Sequence, residues 1–339
     1  MVAALDGGRA GMVIGDREVI PVAIPARGRT YQAALYVIRR DGQVGLGEAP
    51  VVAGRGGSLE SLVAELSSGA PGAPAARAAW ESAHLDLEAR RDGISVAALL
   101  GGAQRSGVHC TALVEEVRPD AVAAAVDRLS ADGFAGFKLK AANGGGQLDL
   151  ERLGAARWAG GALARLRLDF NGGLSRAQAE RALPSLGHLH LELVEQPLPA
   201  AAPAADWQAL AAMTGVLLAA DESLADPILA CSLAARGTGL AIKLATVGGP
   251  RAALALAAAG TGPVTLGSSH ESAIGIAAAL HVACALGREP LACGLATRRL
   301  LESDFATGLP EQPFLRLPDG PGLGVELDLQ AVARYRLDR

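Results

Sequence analysis

The residues best suited to chemistry are Lys138 and Lys140 in FAGFKLK, Asp169 and Asn171 in LDFNGG, Glu195 in LVEQP, Asp221 and Glu222 in ADES, and Lys243 in LAIKLA. From Lys140 the steps to Asp169, Glu195, Asp221 and Lys243 are 29, 26, 26 and 22 residues, each the length of one strand-plus-helix unit. Three acids brought together repel one another and are badly desolvated unless a cation lies among them. Oxygen ligands without Cys or His nearby select a hard ion, with magnesium the natural choice and manganese a substitute. The competing reading, three unrelated surface carboxylates capping helices, suits one acid but fits three consecutive equivalent positions poorly. Residues two apart on a strand share a face, so Lys138 and Lys140 point the same way. Two adjacent ammonium groups and a metal depress each other's pKa, which makes a neutral lysine available as a base. Lys243 lies in an apolar strand, where an unpaired ammonium is unfavourable, so it must face carboxylates or substrate. There it is suited to be a second base, or a cation resting on an aromatic ring. A Schiff-base lysine is the rival chemistry, and it leaves the three acids unexplained.

These side chains need a scaffold that brings successive strand ends to one mouth. From Gly107 onward, eight apolar runs alternate with Ala-rich helical stretches: VHCTALV, FAGFKLK, LRLDF, HLELVEQP, VLLAADES, LAIKLA, PVTLGSS and LACGL. Helices are expected near 120–131, 148–159, 176–186, 204–213, 226–236, 250–260 and 271–286. Such alternation means right-handed βα units, and eight strands suffice to close a TIM-type barrel. An open doubly wound sheet is the alternative, but polar residues end nearly every run instead of gathering at one switch point. The first hundred residues differ. GMVIGDREVIPVAI, YQAALYVIRR and QVGLGEA read as an antiparallel meander with a hairpin at Asp41-Gly42. SLESLVAEL and PAARAAWESAHLDLEARR read as helices, the second with Pro near its start. The expected organisation is an α+β capping domain over 1–105, a barrel over 106–300, and a segment over 301–339 that packs back on the capping domain.

Composition bounds the class. The 339 residues are 50% hydrophobic with a net charge of −4, which permits a large core and shows no bias toward nucleic acid. Cys110, Cys231, Cys284 and Cys293 are scattered without C-x-x-C spacing, against a zinc knuckle or disulfide framework. The N-terminal stretch lacks the apolar core of a signal peptide, and the run from Ala273 to Leu286 is too short to span a membrane. A cytoplasmic enzyme with a small-molecule carboxylate substrate, and without nucleic-acid or membrane partners, is expected; the pattern leaves the oligomeric state open.

Weaker signals remain. In SSHES, Ser268 and Glu271 have capping-box spacing, so a helix start there is the preferred reading, with Ser268 and Ser269 also placed to let its amides hold a substrate carboxylate. His270 and His281 read as structural. The glycines of AANGGGQ lack the Lys-Ser/Thr of a phosphate loop.

Taken together, KLK, LDFNGG, VEQP, ADES and IKLATVGG resemble the enolase superfamily in its muconate lactonizing branch. The resemblance implies a modified (β/α)7β TIM barrel under an N-terminal α+β cap. Sites of that superfamily pair a lysine or histidine base with magnesium. The resemblance therefore also implies Asp169, Glu195 and Asp221 as ligands of Mg2+ (or Mn2+), Lys140 as the base, Lys138 as its pKa-lowering neighbour and Lys243 across the site. Arg167, Asn171, Glu222, Ser268, Ser269 and Gly294 are expected beside metal or substrate. SSHESAIGIAAALHVACAL, ACGLATRRLLESD and the spacing Arg167-x-Asp169 are similar to the o-succinylbenzoate synthases, hydro-lyases of menaquinone biosynthesis. That similarity implies syn elimination of water from 2-succinyl-6-hydroxy-2,4-cyclohexadiene-1-carboxylate through a metal-stabilised enediolate. The alternatives are an N-succinylamino acid racemase or dipeptide epimerase with the same site and, more remotely, a non-catalytic anion-binding barrel. Dipeptide epimerases typically carry Asp-x-Asp where this chain reads CGLATRR.

Overall fold

The structure is a computed structural model that describes residues 16–52, 57–143, 147–148 and 150–337. The glycines of AANGGGQ and most of the N-terminal stretch considered as a leader lie outside them.

Strands β1 (Arg17–Ala26), β2 (Arg29–Arg40) and β3 (Gln43–Pro50) form the antiparallel meander. Asp41 and Gly42 join β2 to β3 with φ of 54° and 77°, the paired left-handed conformation of a tight hairpin. Helices α1 (Leu59–Ser68) and α2 (Pro74–Asp92) follow, α1 capped by Ser58 and α2 opening on Pro74. The alanines of α2 lie directly on β3. A Cβ on Gly47 would stand 1.9 Å from the Ala79 carbonyl oxygen, so only glycine permits this approach. The short α3 (Val96–Leu99) then leads to the barrel.

Eight parallel strands make the barrel. In chain order the next elements are β4 (Gly107–Val114), α4 (Pro119–Ala131), β5 (Gly136–Lys140), the two-residue pair β6 (Ala142–Asn143) and β7 (Gln147–Leu148), α5 (Leu150–Gly160) and β8 (Arg165–Asp169). Then come α6 (Arg176–Ala182), β9 (Leu193–Glu195), α7 (Ala204–Thr214), β10 (Leu218–Ala220), α8 (Pro227–Ala235) and β11 (Gly239–Ile242). The last are α9 (Leu244–Val247), α10 (Pro250–Ala258), β12 (Val264–Leu266), α11 (Ala273–Ala285) and β13 (Cys293–Ala296). The pairing order is β12-β11-β10-β9-β8-β5-β4-β13. A bridge between Gly267 and Gly294 and a hydrogen bond from Leu291 N to Val264 O (2.8 Å) join β12 to β13 and close the ring, which excludes the open sheet. All eight runs proposed from the sequence are strands. Each is short and apolar because both its faces are buried, one on the barrel interior and one under the surrounding helices.

The C-terminal stretch carries β14 (Ala306–Thr307) paired with β16 (Glu326–Leu327), β15 (Phe314–Arg316) along the start of β4, and α12 (Leu329–Tyr335). It touches the first domain at Val22–Arg336 and Ala26–Leu301. Buried Asp86 on α2 accepts from Leu46 N (2.9 Å) and Leu323 N (2.7 Å) and so ties this stretch to the meander. His281, fully buried in α11, bonds Ala97 N (3.0 Å) and the Leu323 carbonyl (3.2 Å), the structural part expected of it.

The expected capping box in SSHES does not form. Helix α11 begins at Ala273 with Ser272 as its cap, and Glu271 folds back onto Ser269 N. The first amides of α11 are not open to a substrate carboxylate: Ala273 N donates to Asp304 (3.0 Å), Ile274 N to Ser272 (3.3 Å) and Gly275 N to Glu48 (2.9 Å). Glu48 reaches in from β3 and supplies tertiary capping that local spacing cannot reveal. No helix among the described residues is long and apolar enough to cross a membrane.

Candidate active site

Parallel register brings the charged strand ends level. Lys140 pairs with Asp169, Asp169 with Glu195, and Glu195 with Ala219, two residues before Asp221. Lys138 and Lys140 share one face of β5 and converge on a single oxygen, Asp169 Oδ2, at 2.9 and 2.8 Å. Lys138 also donates to Glu195 Oε1 (2.6 Å), and Lys243 to Asp221 Oδ2 (2.5 Å). The three carboxylates are buried at 1%, 4% and 0% exposure. Lys243 directly follows β11, four strands round an eight-strand ring from β5, so it faces Lys140 from the opposite wall.

The loops that leave these strands are backbone-strained. Asn171, Gln196 and His270 have φ of 47°, 39° and 69°, in the region non-glycine residues rarely occupy. Asn171 is held by both ends of its amide: Oδ1 accepts from Lys140 (2.7 Å), and Nδ2 donates to Glu222 Oε1 (3.1 Å) and Asp169 Oδ2 (3.3 Å). Buried Gln196 accepts from Asp221 N (2.9 Å) and Ser223 N (3.1 Å), which orients the turn carrying Asp221. The sequence pattern did not single out Gln196, although it lies inside VEQP. Arg167, two residues before Asp169 on the same face, bonds Glu192 (2.5 Å) immediately before the neighbouring β9 and reaches across the barrel to the Ala292 carbonyl (2.7 Å). Phe170 packs into the hydrophobic core at 4% exposure and leaves the pocket undisturbed.

A cavity of about 150 Å³ opens above these groups. Its wall includes Lys138, Lys140, Lys243, Arg167, Glu195, Ser268 and Gly294, all anticipated, together with Arg29, Glu115, His270 and Thr297, which were not assigned to the site. Ser269 borders only an adjoining cavity toward the capping domain. Arg29 follows the β1–β2 turn, in the stretch PARGRTYQ. Lys140 is half exposed, more open than the flanking phenylalanines suggest: Phe134 and Phe137 turn into the core instead.

The electrostatics differ from the lysine-lowering picture drawn from sequence. Burial disfavours the Lys138 ammonium, but Asp169, Glu195 and Asp221 outweigh it and hold its pKa above the ordinary lysine range. Burial likewise opposes, and Asp221 outweighs, in raising Lys243. Burial would lift Asp169, yet Lys138, Lys140 and Lys243 drive it well below the usual carboxylate range. Glu195 is raised, by burial first, with Lys138 opposing and Asp169 and Asp221 adding to the rise. For Lys138 the carboxylates on either side set the direction of the shift.

Among the described residues no three acidic, His or Cys side chains stand as a ready-made metal cage, and the amines of Lys138 and Lys243 lie against the carboxylates. The donor set nevertheless fits a hard divalent cation. Three buried carboxylates lie close enough that Asp169 and Asp221 both raise Glu195, and neither Cys nor His stands among them.

An eight-stranded barrel under an α+β cap, with acids on three successive strand ends, defines a class. Residues 120–332 match the family described as enolase C-terminal domain-like, and the chain belongs to the enolase superfamily in its muconate lactonizing branch. It is 33% identical to muconate cycloisomerase 1 of Rhodococcus opacus over 303 residues, covering 84% of this chain and 79% of that one. It is 36% identical to an o-succinylbenzoate synthase of Thermobifida fusca over 240 residues, covering 69% and 72%. Among solved structures, the muconate lactonizing enzyme of Pseudomonas fluorescens complexed with muconolactone superposes with a TM-score of 0.86 at 28% identity, covering 95% of this chain and 98% of that one. These relatives are enzymes.

Proposed function

We propose that the chain is an o-succinylbenzoate synthase, which eliminates water from 2-succinyl-6-hydroxy-2,4-cyclohexadiene-1-carboxylate. The observation that carries this reading is the wall beside Lys243. Gly267 and Gly294 bridge β12 to β13 there, and a Cβ on Gly267 would already stand 3.4 Å from Cγ and Cε of Lys243. The glycines leave a flat surface along the amine, suited to a planar ring lying against an ammonium, with Lys140 across from it.

Lys140 removes the proton next to the ring carboxylate, and the C–O bond to the hydroxyl then breaks on the same face. Lys140 returns that proton to the departing hydroxide, so the net loss is one water and the new C=C makes the ring aromatic. Lys243 offers its positive charge to the forming ring. Asp169, Glu195 and Asp221 would hold a divalent cation, Mg2+ or Mn2+, which when bound supplies positive charge to the substrate carboxylate as the α-carbon loses its proton. Asn171 and Glu222 fix the amine of Lys140, and Gln196 fixes the turn of Asp221.

A second reading, cycloisomerisation of a muconate, is favoured by the names of several relatives. Racemisation of N-succinylamino acids would use Lys140 and Lys243 on opposite faces. Purified protein with MgCl2 is given the cyclohexadiene substrate, cis,cis-muconate and an N-succinylamino acid in D2O. Loss of the diene absorbance with formation of o-succinylbenzoate, abolished by chelator, is the expected outcome. Faster turnover of muconate, deuterium exchange without dehydration, or dehydration that survives chelation overturns the proposal.

A further inference from the structure

The wall that carries Lys243 is held in part by the capping domain. Lys243 directly follows β11 and caps the short α9, and its carbonyl accepts from Thr246 N (3.0 Å) and Val247 N (3.1 Å). Ala245, two residues on, packs into the separate core of the capping domain. Every other buried member of that core belongs to β2, β3, α1 or α2, among them Tyr36, Ala49, Leu66 and Ala79. The space bounded by Ala78 and Ser82 of α2 and by Leu244 and Ala245 measures about 10 Å³, room for a single water. Packing this close passes a shift of α2 on to α9.

Two side chains of α2 clamp the far end of α9. Gly248 and Gly249 leave it with φ of 96° and 133°. A Cβ on Gly248 would lie 2.6 Å from Nη2 of Arg77, and one on Gly249 2.1 Å from Oε2 of Glu81. Backbone and space therefore both require glycine. Glu81 is 15% exposed and spans the start of α10: Arg251 Nη1 donates to its Oε1 (3.2 Å), and Arg251 N lies 3.4 Å from both oxygens. Its negative charge also faces the positive end of that helix. Lys140, across the mouth, is held by the barrel itself. It lies on β5 between β4 and β8, where Ala141 N donates to the Asp169 carbonyl (2.9 Å) and Arg152 to that of Lys140.

We infer that Glu81 is a positioning residue for Lys243: seated on Gly249 and the start of α10, it fixes α9 and with it the direction of the amine. The seat of the capping domain thereby sets one of the two flanking lysines and leaves the other to the barrel. The link is short, because Gly248 N and Gly249 N both donate to Leu244 O (2.9 and 3.1 Å), the residue next to Lys243. A displacement at the glycines reaches the residue that caps the same helical turn. The inference rests on the barrel mouth being the reacting site, whichever reaction uses Lys243 there.

Glu81→Ala, Glu81→Gln, Lys243→Ala and the double variant Glu81→Ala/Lys243→Ala test it in the full chain. Amide hydrogen exchange needs no substrate: in Glu81→Ala, exchange over 244–249 is expected to quicken by about tenfold or more while that of β5 keeps its rate. Turnover with MgCl2 is measured on the cyclohexadiene, or on cis,cis-muconate or an N-succinylamino acid if that reacts instead. Glu81→Ala should lower kcat by about 10- to 100-fold with KM within a few-fold, as a misplaced group acting in the transition state requires. Glu81→Gln keeps an oxygen for Arg251 N and should recover most of that loss. Without Lys243, the Glu81→Ala change should lower kcat by no more than about twofold, because its effect passes through the amine. A loss that persists undiminished in the Lys243→Ala background would mark a general packing effect and overturn the inference, as would unchanged kcat or unchanged exchange over 244–249. Failure of the dehydration with the coupling intact on another substrate counts against the proposed reaction alone. If none of the three substrates reacts, that reaction falls by itself and the exchange rates decide the clamp.

Discussion

Glu271 should make the protein lose stability as pH rises. Its side chain is 6% exposed, beside Glu48 at the start of α11. Burial, then the charge of Glu48, push its pKa from the ordinary 4.5 up to about 7. The folded state therefore binds more protons than the unfolded chain between these values. Stability is full below the lower value, falls as pH climbs through the window and levels off above the upper one. At about 1.4 kcal/mol for each tenfold change in proton affinity, the gap sets an upper limit of about 3 kcal/mol. Glu271→Gln removes the charge and keeps an oxygen to accept from Ser269 N. Denaturation followed by tryptophan fluorescence should find the variant equal to the unmodified protein near pH ~5 and more stable by about 1 to 3 kcal/mol near pH ~8. A difference that is the same at both pH values, or a variant less stable at the higher one, would refute the reasoning.

Two further predictions concern the cap and the base. Glu48→Ala strips the acceptor from Tyr31 Oη, Ser272 N, Ser272 Oγ and Gly275 N, all at 2.7 to 3.0 Å. With four buried donors left unsatisfied at about 1 to 3 kcal/mol each, a loss of at least about 4 kcal/mol is expected, with faster hydrogen exchange in β3 and the first turn of α11. Unchanged melting and exchange would show that the carboxylate does not fasten the domains. Lys140→Ala should lower turnover by about 10²- to 10⁴-fold while leaving the melting temperature nearly unchanged, because the side chain is half exposed. Turnover within a few-fold of the unmodified protein would remove Lys140 as the base.

The residues themselves dictated a good deal. Eight short apolar runs each had to be covered on both faces, and their alternation with helical stretches allowed little but a closed βα barrel. Period-two geometry placed Lys138 with Lys140, and equal spacing placed Asp169, Glu195 and Asp221 at successive strand ends, because a strand's direction and a regular repeat are local properties. The Asp41-Gly42 hairpin was legible for the same reason: its backbone demands are met by the two residues that form it.

What only the tertiary structure decided are contacts between groups far apart in the chain. Ser268 and Glu271 have the spacing of a capping box, yet Glu48 arrives from β3 to take the helix amides, and the start of α11 moves to Ala273. Lys138 looked like one of two mutually repelling amines until the carboxylates of Asp169 and Glu195 were found on either side of it, which reverses the direction of its shift. Arg29 and His270 meet across 241 residues. Electrostatic and hydrogen-bonding energies depend on distance in space, so a linear order of residues carries them only when the partners share an element or a repeat.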